Sequence, residues 1–360
     1  MNWYKNDGRV WAELIETVAS ETNKDALTIE KDVVQSLILS EISTKNHHLV
    51  FKGGTSLSKA FDLINRFSED LDISMDVDPT ESEKRSINQL IKNTCIELGM
   101  ILENSNDIKS RYDYNRYEFS FSSLFTSIKQ EVIVETSFYQ SVYPTEKRRV
   151  LSYIEKFSET NKLTLPPECK ISTVEMQVQC LDRTFIEKVF AICDYYVQNI
   201  KERNSRHLYD IYKLFNHIVF DDNFKELILS IREDRIKSRN NPSAQKKYSI
   251  ENILKSIIEE RFFEKDYNDI TTGLLYEQVS YYEAVSNGIK KVIDLHIFWI
   301  LGEYDIIFII FKQNRFAFAK YMIDYNRRQF DCALVIRVFR FIHPLEYFYG
   351  GLYDSERIHS

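Results

Sequence analysis

The sequence predicts an α+β protein, a mixed sheet with flanking helices followed by a mainly helical C-terminal half. Three observations predict it. Short apolar, β-branched runs such as 48–52, 70–74 and 131–138 alternate with amphipathic stretches in the first 143 residues. Beyond residue 184 the apolar periodicity is helical in one segment after another. Gly and Pro are scarce, 9 and 6 among 360 residues, while Phe, Trp and Tyr reach 14%, which favours a packed, largely helical interior over disorder.

Taken in order, 9–18 and 28–42 read as helices, the second carrying Ile29, Val33, Leu37 and Ile38 on one face. A strand over 48–52 runs into Gly53-Gly54. A helix is expected from about Ser56 to Asn65, with Leu57, Ala60, Phe61 and Ile64 on one face, Thr55 or Ser56 as its cap, and Lys59 on the exposed side. Asp70 to Ser74 reads as a strand, 83–102 as a helix, and 117–121 and 131–138 as strands. After Tyr143, Pro144, the trio Lys147, Arg148 and Arg149, and Pro166-Pro167 mark connections. Helices are expected over 184–200, 206–218, 222–238 and 249–262, with a loop at 240–243 and a further helical stretch over 267–290. This gives three parts: 1–143, 144–290 and an extension over 291–360 whose apolar runs fit helix or strand equally.

The net charge of −7 excludes a molecule that binds nucleic acid through overall basicity. One local basic run, Arg232, Arg235, Lys237, Arg239, Lys246 and Lys247, is a candidate RNA-facing patch, set against the plainer reading of a solvated helix face and loop. Five cysteines without short paired spacing suggest neither a zinc site nor a disulfide framework, so a reducing cytoplasm is expected. The N-terminus lacks the pattern of a signal peptide, and the most apolar window, 292–311, contains Asp294, His296, Glu303 and Asp305, which disfavours a membrane span.

The chemistry concentrates in FKGGTSLSKAFDLINRFSEDLDISM, residues 51–75. Gly53 and Gly54 let the backbone approach phosphate oxygens, and the N–H groups of the next helix then face the anion. Asp70 and Asp72, two apart on a strand, point to one face ~7 Å apart, where they repel unless a cation lies between them. Magnesium, which prefers oxygen ligands and keeps its waters, suits two aspartates plus a substrate phosphate. Glu135, inside the β-branched run EVIVETSF, is a candidate third ligand because an unpaired charge there is costly to bury. The plainer readings are a structural turn, an acidic strand end and an edge-strand glutamate.

With these residues in place, the chain resembles the AbiEii-type abortive-infection toxins of the polymerase-β-like nucleotidyltransferase superfamily. The resemblance rests on Glu30-Lys31-Asp32, KGGTSLSKA, RFSEDLD, FIEKVFAI and RHLYDIYKLF, and covers most of residues 25–220. It implies that Ser68, Asp70 and Asp72 are the serine and metal aspartates of an RxSxDxD motif, with Glu135 as the third metal position. It implies that Lys188 reaches a triphosphate, that Asp210 is catalytic or orients the nucleotide, and that Gly53, Gly54, Thr55, Ser68, Lys188 and Arg206 bind the nucleotide. Where relatives read RDLYDLY, this chain has His207 in place of the first aspartate. From the residues alone, Lys188 also fits a snorkelling helix lysine, and Asp210 fits a partner for Arg206 or Lys213.

The resemblance further implies a Mg2+-dependent enzyme (Mn2+ is an alternative) that transfers a nucleoside monophosphate from an NTP to an acceptor, foremost the tRNA 3′ end. It implies a cognate antitoxin partner and a role in phage defence. Nucleotidylation of a protein or small molecule, or nucleotide binding without catalysis, are the alternatives.

Overall fold

The computed structural model describes residues 8–108, 112–169, 171 and 173–298, all within one compact unit, Met1–Gly302. Two N-terminal helices, α1 (Gly8–Thr22) and α2 (Ala26–Lys45), precede strand β1 (Leu49–Lys52) and the short helix α3 (Gly53–Lys59). Then come β2 (Asp70–Met75), α4 (Glu81–Glu97), β3 (Ile101–Leu102), β4 (Tyr114–Phe121), β5 (Gln130–Ser137), β6 (Thr145–Val150), α5 (Tyr153–Asn161) and β7 (Val174–Gln179). The strands form one mixed sheet of seven in the order β3-β4-β5-β2-β1-β7-β6. β1 runs antiparallel to β2 and parallel to β7, while β2 runs parallel to β5.

Alternation along the strands decides which face is covered. Leu49, Phe51, Leu71, Ile73, Val132, Val134, Tyr117 and Phe119 point to a core shared with Val34, Ile38 and Leu39 of α2 and Ile87 and Ile91 of α4. The intervening residues Lys52, Asp70, Asp72, Arg116 and Glu135 line the opposite face and are only partly buried. A second core belongs to α6 (Leu181–Val197), α7 (Arg206–Phe215), α8 (Asp222–Arg235), α9 (Ile250–Glu259), α12 (Tyr281–Asn287) and α13 (Ile289–Asp294), and takes in Leu57 and Ile64. Between α9 and α12, the short helices α10 (Glu264–Asp266) and α11 (Thr272–Leu274) flank a π-helical turn at Tyr267–Thr271, so the helical stretch expected over 267–290 is a series of short helical pieces.

The structure corrects several other expectations. α3 ends at Lys59, not near Asn65: Asp62 takes a left-handed conformation (φ 57°) and the Leu63 N–H closes onto Leu57 O at 3.0 Å. Neither Thr55 nor Ser56 caps it, since the helix begins at Gly53 after Lys52. Lys59 is not exposed but 3% accessible, because both sides of this two-turn helix are covered. Its Nζ bonds Asp32 Oδ1 at 2.5 Å and Ser36 Oγ at 2.8 Å, tying α3 to α2. The helix expected over 83–102 stops at Glu97, and 101–102 join the sheet. Sequence reading also passed over β6 and β7, whose charged residues mask the strand pattern; the boundary expected after residue 143 falls between β5 and β6 of this one sheet. The extension expected over 291–360 lies outside the described residues beyond Phe298.

The basic run of α8 is not a surface patch. Arg232 and Arg235 are buried, Arg232 Nε donating to Ala244 O at 2.9 Å and Arg235 Nη2 to Asp194 Oδ2 at 2.5 Å. Lys237, Arg239, Lys246 and Lys247 remain exposed. Among the described residues no helix is long and apolar enough to cross a membrane.

Candidate active site

Gly53 follows β1 with φ +76°, and a Cβ there would lie 1.9 Å from Asp72 Oδ2. Glycine is therefore required twice over, by the backbone angle and by the carboxylate pressed against it. A Cβ on Gly54 would lie 2.7 Å from Arg66 Nη2 and 2.9 Å from Ser68 Oγ. The two glycines thus admit the RFSEDLD segment against the start of α3, leaving Ser68 half-buried at the glycine turn. Thr55 spends its hydroxyl on Asp70 O at 2.5 Å, fixing α3 to β2.

Asp70 and Asp72 occupy alternate positions of β2, and Asp72 stands opposite Glu135 in the β2–β5 register. Burial raises the Asp70 pKa, with Glu135 adding to it. Burial pushes Asp72 up to about 7; Lys52 opposes the shift, and Glu135 and Asp70 reinforce it. Glu135 itself is held by Arg116, whose Nη1 lies 2.7 Å from Oε1.

The helical half meets this face through one buried knot. Asp210, fully buried on α7, accepts Arg66 Nε at 2.7 Å and Nη2 at 2.8 Å, and Lys188 Nζ from α6 at 2.6 Å. Burial alone would raise the Asp210 pKa, but Arg66 and Lys188 hold it far below the usual carboxylate range. Burial lowers the Lys188 pKa, and Asp210 opposes that shift. Arg66 is brought here by a β-bridge to Leu275, flanked by Phe67 N to Leu274 O at 3.0 Å and Tyr276 N to Asn65 O at 2.9 Å.

Arg206 opens α7. The turn before it is set by Asp266, whose carboxylate accepts the Arg203 N–H at 2.7 Å and the Ser205 N–H at 3.0 Å. Arg206 is half-buried and close enough to Asp70 to lower its pKa. His207 stacks on Tyr195, with centroids 5.8 Å apart, and burial with Lys188 and Arg206 nearby keeps it neutral. Asp210 pairs with neither Arg206 nor Lys213, the partners that helical spacing suggests; its cations come from β2's leading segment and from α6.

A family model described as the nucleotidyl transferase AbiEii toxin of type IV toxin–antitoxin systems matches residues 37–287. The chain belongs to the AbiEii nucleotidyltransferase family. Two Helicobacter pylori crystal structures are similar to it. JHP933 is 17% identical with a TM-score of 0.40, over 75% of this chain and 90% of that one. A protein provisionally named a nucleotidyltransferase is 18% identical with a TM-score of 0.41, over 76% of this chain and 95% of that one. No curated protein matches the chain.

An AbiEii nucleotidyltransferase implies an NTP and a divalent metal, and the donor set fits such an ion. Asp70, Asp72 and Glu135 supply hard carboxylate oxygens on one face, two of them with pKa values raised by burial and by one another's charge. Among the described residues no three His, Cys, Asp or Glu side chains form a ready-made cage. Magnesium does not need one, since one or two carboxylates plus substrate phosphates commonly hold it.

Sequence reading missed three residues beside this candidate site. Lys52 stands opposite Asp72 in the β1–β2 register, Arg116 opposite Glu135 in the β4–β5 register, and Arg66 carries Asp210. Lys52 adjoins the glycines and Arg66 opens RFSEDLD, so both lay inside the motifs read. Arg116 had no local signal, because only strand pairing brings it to the site. The EKD triplet of α2 has a structural part here. Glu30 accepts Ser123 Oγ and Leu124 N at 2.6 and 2.7 Å, and Asp32 accepts Lys59 and the Tyr153 N–H.

Proposed function

We propose that this AbiEii toxin is a magnesium-dependent enzyme, with Mn2+ able to substitute, that moves a nucleoside monophosphate from an NTP to the 3′ end of tRNA. The observation that carries the metal and nucleotide part is the placement of Asp72 against Gly53, beside Asp70 and Glu135, with Lys188 and Arg206 on the facing helices. Family membership supports the toxin role and the antitoxin partner.

In this reading Asp70, Asp72 and Glu135 hold the ion. Gly53, Gly54 and the N–H groups that follow them face the triphosphate, with Ser68 beside it. When bound, the divalent cation lowers the pKa of the acceptor hydroxyl and offsets charge on the departing pyrophosphate. The acceptor hydroxyl gives its proton to solvent as its oxygen attacks the α-phosphorus in line, the bond from that phosphorus to the bridging oxygen breaks, and pyrophosphate leaves. Arg206, half-buried at the start of α7 and near Asp70, brings its guanidinium to the phosphates. Lys188 adds charge at a position fixed by Asp210. Asp210 positions Lys188 and Arg66 and does not take the proton, being sealed from solvent and held ionised by both cations.

Incubation of the purified protein with labelled NTPs, Mg2+ and bulk tRNA tests this. Label on tRNA is expected for at least one nucleotide, and Asp70→Ala should abolish it. Label on a protein or small molecule instead would replace the RNA acceptor. Nucleotide binding without pyrophosphate release would overturn the enzymatic reading.

A further inference from the structure

Four strands place four charged residues in one straight row: Arg116 on β4, Glu135 on β5, Asp72 on β2 and Lys52 on β1 are successive register partners. Neighbours in such a row are ~4.8 Å apart. The row reads plus, minus, minus, plus. Among the described residues Arg116 is the one of these two cations in a direct ion pair, holding Glu135 Oε1 at 2.7 Å through Nη1. Its Nε lies at the same time 3.0 Å from Glu118 Oε1. Both Arg116 and Glu118 are about two-fifths exposed, so the guanidinium has space to move while keeping one carboxylate.

We propose that Arg116 is the resident counter-ion of the carboxylate site: it holds Glu135 while no metal is bound and releases it to an incoming divalent cation. The inference rests on the metal reading above. A divalent ion held by Asp70 and Asp72 would sit on the strand next to Glu135, repel the guanidinium and compete with it for the same oxygen. Arginine cannot escape by losing its proton, so it leaves only by turning away. Glu118 is the second partner that keeps it neutralised when it does. Arg116 thereby taxes metal binding, and the third carboxylate joins only when the ion is present.

Calorimetric titration of the full chain with Mn2+ tests this without reference to turnover. Arg116→Gln should bind Mn2+ roughly three- to tenfold more tightly than wild type, the scale of one partly exposed charge pair. Glu135→Gln should bind more weakly, and adding Arg116→Gln to it should bring no further gain. An Arg116→Gln affinity within twofold of wild type, or weaker, overturns the proposal. So does a gain that persists undiminished in the Glu135→Gln background, which would mark a general charge effect. Should Arg116→Gln fail to fold, Arg116→Met, which also removes the charge, decides: tighter binding than wild type supports the proposal, unchanged binding overturns it. A wild-type protein that binds no Mn2+ defeats the metal reading itself, a result distinct from metal binding that is indifferent to Arg116.

Discussion

At residue scale the site depends on two positions where chemistry leaves no latitude. Gly53→Ala puts a Cβ 1.9 Å from Asp72 Oδ2 at φ +76°, so the carboxylate has to shift. A shift of about 1 Å in a catalytic group costs on the order of a hundredfold in rate. Nucleotide transfer by this variant should fall by at least that factor, and its melting temperature should drop as well, because alanine is strained at this backbone angle. Asp210→Asn leaves Arg66 and Lys188 buried without their charge partner and should cost about 3–5 kcal/mol in denaturant unfolding. The sign of its pH dependence follows from the depressed carboxyl. The Asp210 contribution is complete above the unfolded aspartate value of about 3.9 and is lost only as pH falls further toward the folded value. The stability gap between wild type and Asp210→Asn should therefore hold steady down to about pH 4 and shrink below it. The glycine turn at Gly53 and the placing of Asp70 and Asp72 at alternate positions of one strand were legible from their order alone, because steric freedom and strand alternation are local properties. The role of Asp210 was not, since its partners lie 144 and 22 residues away.

At element scale α3 shows how a helix is placed by charge as well as by apolar contact. Its Leu57 enters the helical core, while Lys59 is buried against Asp32 and Ser36 of α2. Asp32 also accepts the Tyr153 N–H at 2.7 Å, which fixes the start of α5. Removing one partner of such a pair strands a buried charge, whereas replacing both with apolar residues does not. Asp32→Ala should lose about 3–5 kcal/mol by chemical denaturation, and Asp32→Leu combined with Lys59→Met should recover much of that loss. Equal losses in the single and double variants would show that the charge pair is not what matters. Periodicity found α1, α6, α7, α8 and α9, whose apolar stripes face one side, and α2, whose apolar residues enter two cores. It placed Lys59 outside and extended α3 to Asn65, because neither the left-handed Asp62 nor a helix covered on two sides leaves a mark on apolar spacing. It passed over β6 and β7 because Lys147, Arg149 and Glu175 interrupt their apolar pattern.

At the scale of the whole molecule, the Arg66–Asp210–Lys188 knot joins the sheet to the helical half, alongside the bridge between Arg66 and Leu275. A shared buried ion network couples the opening of the elements that contribute to it. Amide hydrogen exchange in wild type should give β2 and α7 the same opening free energy. In Asp210→Asn the α7 amides should open more readily than those of β2. Identical protection of both elements in the variant would mean that the apolar contacts alone unite the halves.

By itself the sequence determined the α+β class, the glycine turn beside two aspartates, the order of motifs and the resemblance to AbiEii nucleotidyltransferases. Each is carried by spacing along the chain, where steric freedom, helical period and strand alternation act over a few residues. The tertiary structure decided which charges meet. It buried Arg232 and Arg235 within the fold, gave Asp210 to Arg66 and Lys188, and aligned Arg116, Glu135, Asp72 and Lys52 across four strands. The physical reason is that a charge takes its role from whatever lies within a few ångströms of it. Strand register and helix packing set those neighbours, and neither is written in the spacing of any one segment.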